Sequence, residues 1–264
     1  MNRFILSLRR LGLAAAAAPF ALAAVPACTT TTTNPSAGSS GTTADAGPPA
    51  EDEEDSGIPA GGTQCTAARK AHLVPIAKVS TAEVKVLSTT DGVTRLYVDA
   101  SAGGAMEAAK SPRVYIKLTG EKVEVNDNEA FESADWDLAL KRVDLFTNSG
   151  DAGPGKGGAA LVKKDFADVT AADADAAEIE PEKFFDEDCV GRKDEATYII
   201  TTLSSWYDYA VGSGPSVKNG VSFIVRGADG TSRYKLGIVS YTGTSDGATD
   251  GKATGRFILE VAAL

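Results

Sequence analysis

The stretch Ser133–Gly150 reads S-A-D-W-D-L-A-L-K-R-V-D-L-F-T-N-S-G and carries the clearest fold signal in this 264-residue chain. In its first half the large apolar residues Trp136, Leu138 and Leu140 alternate with smaller or polar ones. Alternate residues of a β-strand point to opposite faces, so these three side chains share one face. The pattern predicts a half-buried β-strand that ends at a loop rich in Gly, Asn and Ser.

The second half of the same stretch breaks this alternation. After Lys141 the large apolar residues are Val143 and Leu145, which have the other parity. A regular strand changes parity only where a bulge inserts a residue or where its second half packs on the opposite face. We therefore expect one strand that crosses between two packed layers.

Turn signals repeat along residues 63–264 and predict a single all-β domain of antiparallel hairpins with a few short helices. Four dipeptides favour two-residue turns next to runs of alternating apolar residues. They are Asp91-Gly92, Thr119-Gly120, Asn219-Gly220 and Asp229-Gly230. Thr254–Val261 has the composition of a last strand, and short helices are expected within Gly104–Lys110 and Ala171–Phe185.

A long segment, Lys164–Glu195, interrupts the series of strand signals. It is acidic, and Phe184 and Phe185 are its apolar anchors. Insertions of about 30 residues in compact domains are usually functional or disordered. We interpret this segment as an excursion from the sheet.

Residues 1–27 have the pattern of a lipoprotein signal peptide. Three arginines precede an apolar run, Leu11–Ala24, and Val25-Pro-Ala-Cys28 resembles a cleavage site with Cys28 as the lipidated residue. Thr29 follows Cys28, and the absence of Asp at this position leads us to expect the outer membrane of a Gram-negative bacterium as the destination.

Residues 28–62 are rich in Thr, Ser, Pro and acidic residues, so we expect a disordered tether. Removing residues 1–27 takes away three arginines and no acidic residue, which leaves 23 basic against 36 acidic residues and a net charge of −13. Such a chain is a poor partner for nucleic acid or for anionic lipid. Attachment to the membrane would therefore depend on the lipid at Cys28.

Once Cys28 carries lipid, Cys65 and Cys189 are the remaining cysteines. In an oxidising compartment two such cysteines most simply form a disulfide. The alternative, a free catalytic thiol at Cys189, lacks a base because the only histidine is His72. The sequence shows no recognisable Ser/His/Asp set and no paired carboxylates at catalytic spacing, so we expect no enzymatic activity.

Two further stretches are candidates for binding. Trp206, Tyr207 and Tyr209 would occupy neighbouring strand positions, so their rings cannot all face one core. One side is then available for a flat ligand or a partner, with core packing as the alternative. Gly150–Gly157 nearly matches a phosphate-binding P-loop, but Gly157 stands where Ser or Thr should hold magnesium and a strand-like run follows, so we do not expect a nucleotide site.

The order of these motifs resembles that of the HmuY-like family of bacterial surface lipoproteins. Four segments carry the resemblance in addition to the Trp-Asp strand. They are Tyr115–Val123, Asn148–Ala159 with its many glycines, Phe223–Arg226 and Tyr234–Leu236. The resemblance covers the chain from Tyr115 to Val261 and implies an HmuY-like domain.

The founding members of this family bind haem through His or Met ligands that lie beyond the glycine loop. This chain has no His and no Met after Met106, so the axial ligands are not identifiable and the cofactor stays unknown. A Tyr, Lys or Cys ligand between Lys156 and Glu195 would be the unusual alternative. We expect a lipid-anchored surface lipoprotein that binds haem or another small ligand. The alternative is a structural or protein-interaction lipoprotein that kept the fold without a pocket.

Overall fold

A computed structural model describes residues 65–264 except Ala196 and Val211, and this part of the chain forms twelve strands and three short helices. The strands are β1 Val84–Thr90, β2 Val93–Asp99, β3 Val114–Ile116, β4 Lys122–Val123, β5 Leu138–Lys141, β6 Asp144–Thr147, β7 Gly158–Val162, β8 Tyr207–Ala210, β9 Gly214–Val217, β10 Ser222–Arg226, β11 Arg233–Ser240 and β12 Arg256–Ala263. The helices are α1 Thr66–Leu73, α2 Asp127–Ala130 and α3 Ala171–Ala176. The predicted signal peptide, Cys28 and the tether lie outside the described residues.

The strands form sheets of six, four and two strands. The order is β1-β2-β12-β11-β10-β7 in the first sheet and β4-β3-β5-β6 in the second, and β8 pairs with β9 in the third. All the pairings between these strands are antiparallel. The prediction of an all-β fold of antiparallel strands with a few short helices is confirmed.

The four-stranded sheet is buried on both of its faces. One face packs against the six-stranded sheet, where Leu138 and Leu140 of β5 share a core with Phe257 of β12. The other face forms a second core, in which Tyr115 and Phe146 pack with residues of α1 and α2. Every residue of β3 and β5 is consequently buried, so the prediction of a half-buried strand is wrong.

The change of parity after Lys141 marks a tight hairpin. Strand β5 ends at Lys141, which pairs with Asp144 at the start of β6, and Leu140 pairs with Leu145. The connecting residues are Arg142 and Val143, and Arg142 has a left-handed φ of 55°. The expected single strand that crosses between two layers is therefore wrong, because the chain reverses its direction at this turn.

Trp136 lies on the face opposite to the predicted one. Strand β5 begins only at Leu138, so the alternation does not extend back to the tryptophan. The indole packs edge-on against Tyr115 and Phe146, with ring centroids 5.0 and 6.1 Å away. Its N–H donates a 2.9 Å hydrogen bond to the carbonyl of Ala130. Trp136 therefore anchors the second core.

Three of the four turn dipeptides join paired strands. Asp91-Gly92 forms the predicted two-residue turn between β1 and β2, with positive φ at both residues as a type I′ turn requires. Thr119-Gly120 and Asp229-Gly230 lie within longer loops between paired strands. Asn219-Gly220 is not a hairpin turn, because β9 pairs with β8 while β10 pairs with β11 and β7. The predicted last strand, Thr254–Val261, is β12.

Helices occur within both predicted regions. A 3-10 turn, Ala108–Lys110, lies within Gly104–Lys110, and α3 lies within Ala171–Phe185. Phe184 and Phe185 are buried in the second core, so they do anchor the long excursion. The sequence patterns did not predict helices α1 and α2.

Asn148 fixes the glycine loop against the sheet. Its fully buried side-chain amide donates 2.9 Å hydrogen bonds to the carbonyls of Ser133 and Trp136 and accepts one from the N–H of Gly155. A Cβ atom at Gly155 would lie 2.5 Å from the Asn148 carbonyl oxygen. The glycine at this position therefore permits close packing on Asn148.

Trp136→Ala is expected to lower the free energy of unfolding by about 3 to 5 kcal/mol, the usual cost of deleting a large buried aromatic side chain. Urea denaturation measures this loss. Tyr209→Ala is the matched control, because Tyr209 is 50% exposed and its change should stay within about 0.5 kcal/mol. An unchanged midpoint for Trp136→Ala would contradict the placement of the ring in the core.

Asn148→Asp is expected to destabilise the protein by about 3 to 5 kcal/mol at neutral pH. The substitution keeps the shape of the side chain but directs an oxygen that cannot donate at two carbonyl oxygens. Chemical denaturation should be compared with Asn128→Asp, which makes the same change at an exposed position of α2. Equal stability of the two variants would show that the amide does not fix the loop.

Candidate ligand-binding cavity

The three aromatic residues that the sequence singled out are not equivalent. Trp206 lies in a 3-10 turn before β8, is 1% exposed and donates a 3.1 Å hydrogen bond to the carbonyl of Val143. Its ring packs against Phe257, 5.3 Å away. Tyr207 is half-buried, and Tyr209 is exposed on β8. Core packing therefore accounts for Trp206, and Tyr209 presents the most exposed of the three rings.

A cavity of about 330 Å³ lies where the end of α1, the β5–β6 turn and the start of β9 meet. Its apolar lining residues are Leu73, Val74, Ala105, Ala108, Ala109, Val143, Ile199 and Pro215. Its polar lining residues are His72, Arg113, Lys141, Arg142, Asp144, Tyr198 and Tyr241. None of the three predicted aromatic residues lines it. The volume is at the lower end of the range of about 300 to 1,000 Å³ typical of ligand sites.

A larger cavity, of about 620 Å³, is lined by residues 78–83, 99–103, 110–112 and 114. None of these side chains has a buried polar atom that lacks a hydrogen-bond partner. The smaller cavity differs, because three of its lining residues do. Unpaired buried polar atoms are rare in folded proteins, so we regard the smaller cavity as the candidate site.

Arg113 is the most buried of the charged side chains in the cavity wall, at 2% exposure. Its guanidinium lies over the ring of Phe146, and its Nη1 is 3.5 Å from Oδ2 of Asp127. That carboxylate already accepts hydrogen bonds from the N–H groups of Ile76 and Arg113 and from the hydroxyl of Tyr115. The Nε and Nη1 atoms of Arg113 have no hydrogen-bond partner among the described residues. The guanidinium therefore carries unused donors in a buried place.

Tyr241 and His72 add two more unpaired polar atoms. The ring of Tyr241 packs against Trp206 and Phe257, and its hydroxyl has no hydrogen-bond partner within the described part of the chain. Burial raises the pKa of Tyr241 to about 12, so the hydroxyl stays protonated and can donate. His72 packs edge-on against Phe185, and its Nε2 also lacks a partner in the same range.

Burial shifts the pKa values of three ionisable side chains of the cavity, Lys141, Asp144 and His72. Burial and the charge of Arg113 lower the pKa of Lys141 to about 8, while burial raises the pKa of Asp144 to about 6. Burial together with nearby cations lowers the pKa of His72 below its ordinary value. At neutral pH the histidine is therefore neutral, and Lys141 keeps most of its charge.

The disulfide joins the helix that borders the cavity to another part of the chain. Cys65 and Cys189, which the sequence predicts to pair, are joined with a Cα–Cα distance of 5.4 Å and a separation of 124 residues. Closing a loop of this length is worth about 5 kcal/mol in the chain-entropy model. The bond ties the start of α1 to the long excursion, where His72 packs against Phe184 and Phe185.

The only histidine of the chain and Met106 are not brought together. His72 lines the cavity, but Met106 does not line it and is 93% exposed. Cys189 is held in the disulfide, so it does not offer a thiolate. Among the described residues, no three or more His, Cys, Asp or Glu side chains are grouped to hold a metal ion. No helix in the same range is long and apolar enough to span a membrane.

Sequence reasoning missed Arg113, Lys141 and Tyr241. The alternation in the Trp-Asp stretch placed Lys141 on a polar face, whereas it is 8% exposed beside Arg113. Arg113 immediately precedes β3, and nothing in its neighbourhood marks it as buried. Pairing of β3 with β5 brings Arg113 near Lys141, and Tyr241 follows β11 in the six-stranded sheet, so no sequence spacing reveals that the three line one cavity.

Two features define the class of domain. Antiparallel sheets surround the buried β5–β6 hairpin that follows Trp136, and the glycine loop is hydrogen-bonded to Asn148. The model of one protein family, described as HmuY protein, matches residues 109–256. The chain belongs to the HmuY family. A search of curated proteins found no match.

Proposed function

We propose that this protein is a lipid-anchored lipoprotein of the cell envelope, attached through Cys28, that binds a small ligand in the cavity and catalyses no reaction. The observation that carries the proposal is the pair of buried, unpartnered donors on Arg113 and Tyr241. Leaving such a group unpaired costs about 1 to 3 kcal/mol. A bound ligand that accepts hydrogen bonds would remove this cost.

The envelope location is supported by chemistry on both sides of the proposed cleavage site. Residues 1–27 carry the charge and hydropathy pattern of a lipoprotein signal, and an outer-membrane destination in a Gram-negative bacterium follows from Thr29. The Cys65–Cys189 disulfide is of the kind that persists in oxidising compartments.

The alternative is a structural or protein-interaction lipoprotein that kept the fold and lost its pocket. Such a protein would have no need for unpaired donors in its interior, because apolar residues of similar volume are at least as stabilising as buried charges. The cavity wall of Arg113, Lys141 and Tyr241 therefore favours ligand binding. Exposed Tyr209 is the feature that would favour a protein partner.

The anchor is tested on the native N-terminus. Mass spectrometry of protein extracted from the envelope should find Cys28 as the first residue, carrying lipid, because Val25-Pro-Ala precedes it as a cleavage signal. Cys28→Ser should leave the protein unlipidated and release it from the membrane fraction. A free, unacylated amine at any other residue would show that the anchor assignment is wrong.

Ligand binding is tested by what the protein carries when it is isolated. Denaturing protein purified from its own envelope should release a small molecule detectable by liquid chromatography and mass spectrometry. Ala108→Trp, which fills the cavity, should lack this molecule, whereas Ala67→Trp on the exposed side of α1 should retain it. Equal recovery from both variants, with both folded by circular dichroism, would contradict the proposal.

A hemin titration of the same material identifies or excludes haem as that ligand. No low-spin, six-coordinate spectrum is expected, because His72 and Met106 do not meet in the cavity. If such a spectrum appears and survives in His72→Ala and Met106→Ala, another ligand pair must hold the iron. This chain would then bind haem, as the founding members of the family do, but through ligands other than His72 and Met106.

A further inference from the structure

On the basis of the proposed function, we infer that the ligand of the cavity is a small carboxylate with an apolar body, its negative group held by Arg113, Lys141 and Tyr241. The first reason is that Nε of Arg113 and the hydroxyl of Tyr241 have no hydrogen-bond partner among the described residues. Arg113 and Tyr241 are 2% and 3% exposed, and both line the cavity. An ionised carboxylate only accepts hydrogen bonds, so it matches two buried groups that only lack acceptors.

The charge of the cavity wall supplies the second reason. Arg113, Lys141 and Arg142 line the cavity against a single lining carboxylate, Asp144. This local excess of positive charge occurs in a chain whose net charge is −10. The ammonium of Lys141 makes no hydrogen bond to the described residues, and its pKa is lowered to about 8. An anion in the cavity would favour the charged form of this side chain.

Two carboxylates that do not line the cavity reduce the positive charge of its wall, so a ligand with one negative charge fits better than a ligand with two. Asp127 lies behind Arg113 with its Oδ2 3.5 Å from Nη1. Asp194 lies close enough to Asp144 to help raise the pKa of that carboxyl. A doubly charged phosphate would face these carboxylates with little positive charge left to balance it, so a monoanionic carboxylate is the better match.

The apolar part of the cavity wall indicates the chemistry of the rest of the ligand. Leu73, Val143, Ile199 and Pro215 line the cavity together with three alanines. These side chains offer no hydrogen bonds and favour an apolar group through burial of its surface. The volume of about 330 Å³ suits a compact molecule.

Matched acid and amide probes separate charge from shape. Hexanoate and hexanamide have the same length and nearly the same volume, and each can be titrated into the lipidated, detergent-solubilised protein by calorimetry. Hexanoate is expected to bind at least about tenfold more tightly, because hydrogen bonds to a charged group are stronger than those to a neutral one. Inorganic phosphate, the third probe, is expected to bind more weakly than hexanoate.

Two variants assign the site while preserving the fold. Tyr241→Phe removes only a hydroxyl that has no partner among the described residues, so the urea midpoint should not fall, whereas hexanoate affinity should fall about tenfold. Lys141→Met removes a buried charge at nearly constant side-chain volume. It should weaken the binding of hexanoate but not the binding of hexanamide. Tyr209→Phe is the control, because Tyr209 is exposed and does not line the cavity.

The outcomes distinguish this inference from the proposed function beneath it. Equal affinities for hexanoate and hexanamide, both lost in Ala108→Trp, would overturn the carboxylate assignment and leave ligand binding in place. Phosphate binding as tight as hexanoate would also overturn it. Unchanged hexanoate affinity in Tyr241→Phe and Lys141→Met would place the acid elsewhere. Absence of binding by every probe, together with no molecule released on denaturation, would overturn both.

Discussion

Burial of the four-stranded sheet on both faces is the constraint on which the rest of the structure depends. The backbone of a sheet that is covered on both faces is largely shielded from water, so most of its polar groups need partners within the protein. Asp137 accepts hydrogen bonds from the N–H groups of Leu118 and Ala228, and Glu182 and Asn148 serve β6 and the glycine loop in the same way. Each of these side chains joins the sheet to a loop that is distant in sequence, so the polar network also determines how the loops are arranged.

The same constraint explains the choice of residues within the sheet. In the register, Ala139 lies between Tyr115 on one side and Phe146 on the other, so a small residue leaves room for two large rings. Trp136 then packs edge-on against both rings. Helix α1 covers part of this aromatic core, and the disulfide at Cys65 holds the helix there. The position of the cavity follows from this packing, because the end of α1 forms one of its walls.

Local signals in the sequence predicted what depends on local structure. The Asp91-Gly92 turn is such a case, since both residues adopt the positive φ that the turn requires. The capping box from Asn126 to Glu129 was an equally local signal and would have revealed α2. Trp136 was placed on the wrong face because a parity rule holds only within a strand, and β5 starts two residues later. The cavity could not be predicted, because Arg113 and Tyr241 adjoin strands of different sheets and line one cavity only through the packing of those sheets.

Stability alone does not explain the buried charges of Arg113 and Lys141 in the cavity wall. A buried ion pair is often no more stabilising than apolar residues of the same volume. Arg113 is paired with a carboxylate that other donors already satisfy, and the pKa of Lys141 shows that its charged form is disfavoured where it stands. A domain selected only for its fold could replace the Arg113–Asp127 pair and Lys141 with apolar residues of similar volume at little or no cost in stability. Their presence beside the unpaired hydroxyl of Tyr241 is therefore best explained by a ligand that completes the set.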